Sequence, residues 1–168
     1  MKIERIAAVS FDEIALVALL MDAVEGGASV GFLAPLKRDE ALAYWRGVRA
    51  EMDDGLLVLA AFEGSRLVGS VQLAPARKRN ARHRAEVQKL LVLRECRGRG
   101  VGEALMQAIE DEARRLGRWL LVLDTATSAA ERLYRRLGYQ RAGAIPEFAE
   151  SPAGGFDATV LYYKRLPR

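Results

Sequence analysis

The spacing of apolar residues changes period several times along the chain, and each change marks an element. "KIERIAAV", Lys2 to Val9, reads as a short first strand. Ser10 with Glu13 forms a capping box, after which Ile14, Val17, Leu20, Met21 and Val24 recur at helical spacing until Gly26-Gly27. The loop "GGASVGFLAPL" separates this helix from a second one, from about Arg38 to Met52, with Leu42, Trp45, Val48 and Met52 on one face. After Asp54-Gly55 the period becomes that of strands. "LLVLAAF" and "RLVGSVQLA" flank the hairpin signal Glu63-Gly64-Ser65, and the basic loop "PARKRNARHR" leads into a third strand, "AEVQKLLVL".

The turn "RGRGVGEA", Arg97 to Ala104, then opens a helix with Val101, Leu105, Ile109, Ala113 and Leu116 inward. Arg114 and Arg115 complement its last turn and Gly117 stops it. "RWLLVLDT" is a buried strand ending at Asp124. Ser128 with Glu131 forms a second capping box, before a short helix with Ala130, Leu133, Tyr134 and Leu137 inward. Gly138 ends that helix. "YQRAGAI" and "ATVLYYKRL" are two final strands around the loop "PEFAESPAGGFD". The order β-α-α-β-β-β-α-β-α-β-β predicts an α+β domain with a mixed sheet.

Composition narrows the classes. At 168 residues the chain suits one domain, 1–168, and 51% apolar with 29% charged residues is ordinary for a soluble globular protein. A formal charge of +4 suits a polyanionic small ligand as well as nucleic acid. One cysteine, Cys96, allows no internal disulfide and no cysteine metal cluster, and His83 is the only histidine, so no metal is expected. No run approaches the ~18 apolar residues of a membrane helix, and acids interrupt what would be a signal peptide's apolar core. The expected location is cytoplasmic, with no membrane partner, as a monomer or homodimer.

The glycine turn carries the first chemistry. A P-loop requires Gly-x4-Gly-Lys-Ser/Thr, and the chain contains no Lys-Ser or Lys-Thr. A dinucleotide fingerprint requires a third glycine, where Glu103 or Leu105 stands, depending on whether reading starts at Gly98 or Gly100. What remains is Arg-x-x-Gly-x-Gly, Arg97 to Gly102, between a strand and a helix. Glycines let the backbone approach a ligand, free N–H groups and the helix N-terminus favour an anion, and Arg97 and Arg99 add cations. A pyrophosphate suits the arrangement. The competing reading is a turn that merely caps its helix.

Here the chain resembles a known family. "LLVLRECRGRGVGEALM" is similar to motif A of the GCN5-related N-acetyltransferases, and the helical N-terminal third and "AAERLYRRLGY" match that family's layout. The resemblance implies a mostly antiparallel central sheet with helices on both faces, and acetyl-CoA as acetyl donor. It further implies that Gly98, Arg99, Gly100, Val101, Gly102 and Glu103 present their backbone to the pyrophosphate. Leu91 and Val92 would pair with the pantetheine arm through main-chain groups. "GGASVGF", "RAEVQKLLVL", "RGRGVG", "LDT" and "ATVLYYK" together resemble the tabtoxin-resistance branch. Two positions depart from the pattern: Arg94 stands where the family usually has proline, and Thr127 where many members have asparagine.

Acetyl transfer to an amine needs a neutral nucleophile and a proton for the departing thiolate. Tyr134, inward on the last helix, matches the family's general acid; the competing reading is a core tyrosine. Glu86, early in an apolar strand, and Asp124, at a strand end, are the base candidates. Their competing readings are a partner for a loop arginine and a helix cap. Ser29 and Phe32 of "GGASVGF" are candidate walls for the acceptor, with "PEFAESPAGGFD" closing the other side. The basic run Arg77 to Arg84 could attract nucleic acid, but it holds no aromatic for base stacking. The expected partner is therefore a small-molecule amine, amino-acid-like or toxin-like. The rival functions are an acyl-CoA-binding module without turnover and an acetyltransferase acting on a protein amine.

Overall fold

The computed structural model describes residues 1–151 and 154–167; positions 152 and 153, in the last predicted loop, and 168 lie outside them. The elements are β1 Lys2–Arg5, α1 Glu13–Glu25, α2 Arg38–Asp53, β2 Leu57–Glu63, β3 Arg66–Pro75 and β4 Arg84–Val92. They continue as α3 Val101–Arg115, β5 Leu120–Thr125, α4 Ser128–Arg136, β6 Gln140–Glu150 and β7 Phe156–Arg165. The strands form one sheet in the order β1-β2-β3-β4-β5-β7-β6, as expected an α+β architecture. All neighbours run antiparallel except β4 and β5. Among the described residues no helix is long and apolar enough to cross a membrane.

Strand alternation sorts the core into two layers. Leu57, Leu59 and Ala61 of β2 pack with Val101, Leu105, Met106 and Ile109 of α3 and with Tyr134 of α4. The intervening Val58 and Ala60 pack with Leu16, Leu19, Leu20 and Trp45 of α1 and α2. Helices thus cover both faces.

Several element ends and faces differ from those the sequence pattern predicts, beginning with the first strand, which stops at Arg5 before a 3-10 turn at Ala8–Ser10. Asp12, not Ser10, caps α1: its Oδ1 accepts from the amides of Ile14 and Ala15, both at 3.1 Å. Ser10 instead sits in a 3-10 turn and donates to the carbonyl of Ala7 at 3.2 Å. A carboxylate meets both the free amides and the helix dipole, which explains the shift. Thr127, not Ser128, caps α4 by accepting from the amide of Ala130 at 3.4 Å. Ile14 is 70% exposed, because α1 buries Leu16 and Leu19 instead, and Leu116, the residue that caps the C-terminus of α3, is 43% exposed. Finally, most of "PEFAESPAGGFD" is strand: β6 continues to Glu150, and Ser151 N–H donates to Gly155 O at 3.0 Å in the closing turn. As the edge strand, β6 accommodates Pro146 without losing a ladder bond.

Two bulges shape the site. β4 pairs with β5 at only three positions, ending at Glu86↔Val122. Just beyond, Gln72↔Gln88 gives way to Ser70↔Leu91, so Lys89 and Leu90 together face Val71, and Lys89 takes φ 51°. An extra residue bends the bulged strand, and β4 leaves β5 there, opening the sheet. In β6, residues 146–148 face Ala158 alone, with Glu147 at φ 51°.

Candidate functional site

The turn between β4 and α3 is tied at its start by Cys96 N–H to Leu93 O (2.9 Å) and Arg97 N–H to Arg94 O (3.2 Å). Gly98 and Gly100 then adopt φ 74° and 84°, a left-handed backbone that glycine takes without strain. The first helical bond runs from Ala104 N–H to Gly100 O at 3.0 Å. The amides of residues 98–103 donate to no described protein group. Six consecutive free amides at a helix N-terminus form an anion cradle, where the macrodipole adds about half a positive charge. A Cβ at Gly102 would come within 3.4 Å of Leu133 and 3.8 Å of Val92, so glycine keeps the space between α4 and β4 clear.

That space is a groove of about 900 Å3, lined by the turn, by Leu90 to Val92, by Gly26 and Gly27 at the end of α1, and by α4. The bond from Leu93 N–H to Val68 O at 3.0 Å fixes the ladder's phase. Because hydrogen-bonded and non-bonded pairs alternate, Leu91 directs its main-chain groups to Ser70 on β3, while those of Val92 face the opening. Val92 O already accepts from Arg97 Nε at 3.2 Å. Of the two candidate pairing positions, Val92 therefore presents its backbone to the groove and Leu91 does not.

The cations differ from those expected. Arg97 lines the groove, whereas Arg99 turns its guanidinium to Glu63 at 2.8 Å and lies off the lining. Arg132 and Arg136 of α4 take its place. Arg136 also pairs with Glu103 at 2.9 Å, balancing a carboxylate beside the anion cradle. The repeat of arginines four apart in "ERLYRR" is the sequence signal for this basic helix face.

A second cavity, of about 300 Å3, lies where β4 and β5 part. Glu86, Lys89, Asp124, Thr127 and Tyr134 line it, with Ser29 on one side and Phe148 and Thr159 on the other. Leu90, Thr127 and Ala130 line both cavities, so the two spaces meet there. Glu86 pairs with Val122, and Asp124 follows two residues later, so both carboxylates project from the same face of the sheet. Asp124 Oδ2 accepts from Thr159 Oγ1 at 2.7 Å. Tyr134 is only 6% exposed and packs 5.8 Å from the Tyr139 ring and 6.2 Å from Tyr162. Burial, with a smaller contribution from Asp124, pushes its phenol up to about 12. Phe32 lies outside the cavity lining and packs edge-on against Tyr44 at 5.3 Å.

Phe148 comes from "PEFAESPAGGFD", the segment expected on the other side of the acceptor, whereas nothing in the sequence singles out Lys89 or Thr159. Lys89 is disguised within a strand, and Phe148 and Thr159 arrive through the β6 bulge and the β7 register. The lone histidine is accounted for structurally, since His83 stacks on Trp119 at 4.7 Å. Among the described residues no group of three or more His, Cys, Asp or Glu is placed to hold a metal ion.

Together these features set a groove with free amides and arginines beside a pocket that holds two carboxylates and a buried phenol, at a split in a mixed sheet. The model of the acetyltransferase (GNAT) family matches residues 18–139, and the chain belongs to that family. It is 35% identical over 105 residues to an uncharacterized N-acetyltransferase of Azospirillum brasilense; the match spans 61% of this chain and 61% of that relative. Among solved structures, a ribosomal-protein-alanine N-acetyltransferase from Brucella melitensis superposes with a TM-score of 0.83 at 22% identity, covering 99% of this chain and 100% of that one. A phosphinothricin acetyltransferase from Sinorhizobium meliloti, in complex with acetyl-CoA, gives 0.80 at 18% identity, covering 98% and 88%.

Proposed function

We propose that the chain is an acetyl-CoA-dependent N-acetyltransferase that acylates the amine of a small molecule by direct attack in a ternary complex. The supporting observation is the run of free amides at 98–103, whose groove joins the carboxylate pocket at Thr127. When bound, acetyl-CoA supplies an activated thioester carbonyl. The amides of residues 98–103 hold its diphosphate, Arg97, Arg132 and Arg136 add cations, and the Val92 backbone offers a donor and an acceptor to the pantetheine arm.

The remaining chemistry concerns protons. An aliphatic amine, with a pKa of about 10.4 in lysine, reaches the site mostly protonated at pH 7. Glu86 and Asp124 attract the ammonium and accept its proton through water. Tyr134, held protonated by its burial, donates toward the departing sulfur. Cys96 is buried within the turn, on the donor side, which favours direct transfer over an acetyl-cysteine.

A pocket of about 300 Å3, walled by Ser29 and Phe148, suits a small acceptor better than a protein surface. An amino-acid-like or toxin-like amine follows from the resemblance to the tabtoxin-resistance branch, and the substrate named for the Sinorhizobium meliloti protein is of that kind. The reaction would take place in the cytoplasm.

Thermal unfolding with and without acetyl-CoA, followed by thiol release across an amine panel, tests this. Ligand at ~100 times Kd stabilises a fold by about 2.7 kcal/mol. An unchanged melting temperature would remove the donor assignment; a shift without thiol release would leave a binding module.

A further inference from the structure

The acceptor cavity contains a cation that the acetyl-transfer scheme does not use. Lys89 sits in the left-handed bulge of β4, with φ 51°, and is half-buried. Its Nζ lies 5.7 Å from the Tyr44 ring centroid. A Cβ added to Gly31 would stand 3.6 Å from that nitrogen, which places the ammonium against the loop between α1 and α2. Lys89 forms no ion pair within 4.0 Å among the described residues, although Glu86 and Asp124 line the same cavity.

The cavity is therefore electrically divided. Two carboxylates project where β4 and β5 part, and one ammonium faces the Gly31 loop. Burial lowers the pKa of Lys89 from its usual value, while Asp124 and Glu86 act in the opposite direction. An ammonium that has lost part of its hydration without gaining a close counter-ion is ready to receive an anion. A purely cationic amine would be attracted by the carboxylates and repelled by Lys89. An amine that also carries an anionic group would satisfy both ends and present its nitrogen to the carboxylates.

Resting on the acetyltransferase reading, we propose that Lys89 binds an anionic group of the acceptor and thereby selects zwitterionic, amino-acid-like amines. The bulge is what makes this possible, since it turns a strand lysine into the cavity beside the phenol and the carboxylates. Carboxylate and phosphinate share the required chemistry, a compact oxyanion a few bonds from the amine.

The test compares α-amino acids with their methyl esters as acceptors, using the wild type, Lys89→Met and Lys89→Arg. Thiol release gives kcat and KM, and calorimetry gives the Kd of the matching N-acetyl amino acid without donor. The wild type should favour the free acid over its ester at least tenfold in kcat/KM. Lys89→Met should raise KM for the acid roughly 10- to 100-fold, lower it or leave it no higher for the ester, which loses a repelling charge, and weaken N-acetyl amino acid binding in parallel with the acid. Lys89→Arg should retain part of the preference. An equal loss on acid and ester, or a wild type indifferent to the carboxylate, would overturn the role of Lys89 while leaving the acetyltransferase reading standing. Thiol release from no amine in the panel, with acetyl-CoA still bound, would overturn both.

Discussion

Arg94 donates its backbone amide to Asp22 Oδ2 at 2.8 Å and its Nε to Oδ1 at 2.9 Å. Both oxygens of one carboxylate thus tie the last turn of α1 to the segment entering the anion cradle. A Cβ at Gly26 would stand 2.7 Å from Arg94 Cδ, so Gly26 gives the arginine its path. The proline that the family resemblance leads one to expect here would have no amide to donate to Asp22.

Because Arg94 begins a short 3-10 turn, Arg94→Pro should be tolerated by the backbone yet lose both bonds. The melting temperature should fall by a few degrees. Asp22→Ala should cause a similar fall, and the double variant should fall little further, since the two residues act as one unit. Thermal unfolding of the four proteins checks this; additive losses would show that the residues stabilise the fold independently.

Tyr134→Phe separates catalysis from packing. The ring stays in place against Tyr139 and Tyr162, so melting temperature and acetyl-CoA affinity should change little. Removing a positioned general acid should lower kcat about 100-fold. The sign of the pH dependence follows from burial. Because the phenol is pushed up to about 12, it stays protonated through pH 10, and kcat/KM should rise with pH as the amine loses its proton. A falling limb below pH 10 that the Phe variant lacks would contradict the raised pKa of the phenol, though not its part as proton donor.

How legible the molecule was depended on how local each feature is. Element order followed from periodicity, and the anion cradle followed from eight consecutive residues, Arg97 to Ala104. Helix starts moved by one or two residues because Ser10 and Asp12, or Thr127 and Ser128, compete as caps, and only the path of the preceding chain decides between them. The β6–β7 hairpin read as a loop because Pro146 and Gly154-Gly155 look like breakers, yet an edge strand accommodates the proline. The acceptor side was hardest to read. Lys89 reaches the cavity through a bulge, and Thr159 meets Asp124 only through pairing between strands 35 residues apart. Arg99 looked like a phosphate ligand by proximity, but Glu63 on another strand had claimed it.

A buried ion pair makes a stability prediction. Lys164 Nζ reaches both oxygens of Glu110, at 2.8 and 2.7 Å, and Glu110 is only 4% exposed. Lys164→Met would leave that carboxylate buried without its main partner and should cost about 3 kcal/mol. The pair Glu110→Leu with Lys164→Met removes both charges and should recover most of the loss. Chemical denaturation of the three variants checks this, and a double variant no more stable than Lys164→Met would count against burial of the charge as the cause.

Gly102→Ala tests the groove from the opposite direction, by separating affinity from stability. Gly102 lies in the first turn of α3, where alanine is favoured over glycine by up to about 1 kcal/mol in helical propensity. The new methyl would enter the space between Leu133 and Val92, at 3.4 and 3.8 Å. The variant should therefore be as stable as the wild type or slightly more so, while acetyl-CoA affinity falls about tenfold, a change of about 1.4 kcal/mol. Calorimetric titration beside a melting curve reads both quantities on the same sample. A stable variant with unchanged affinity would show that the ligand passes above this turn without entering the space that glycine keeps clear.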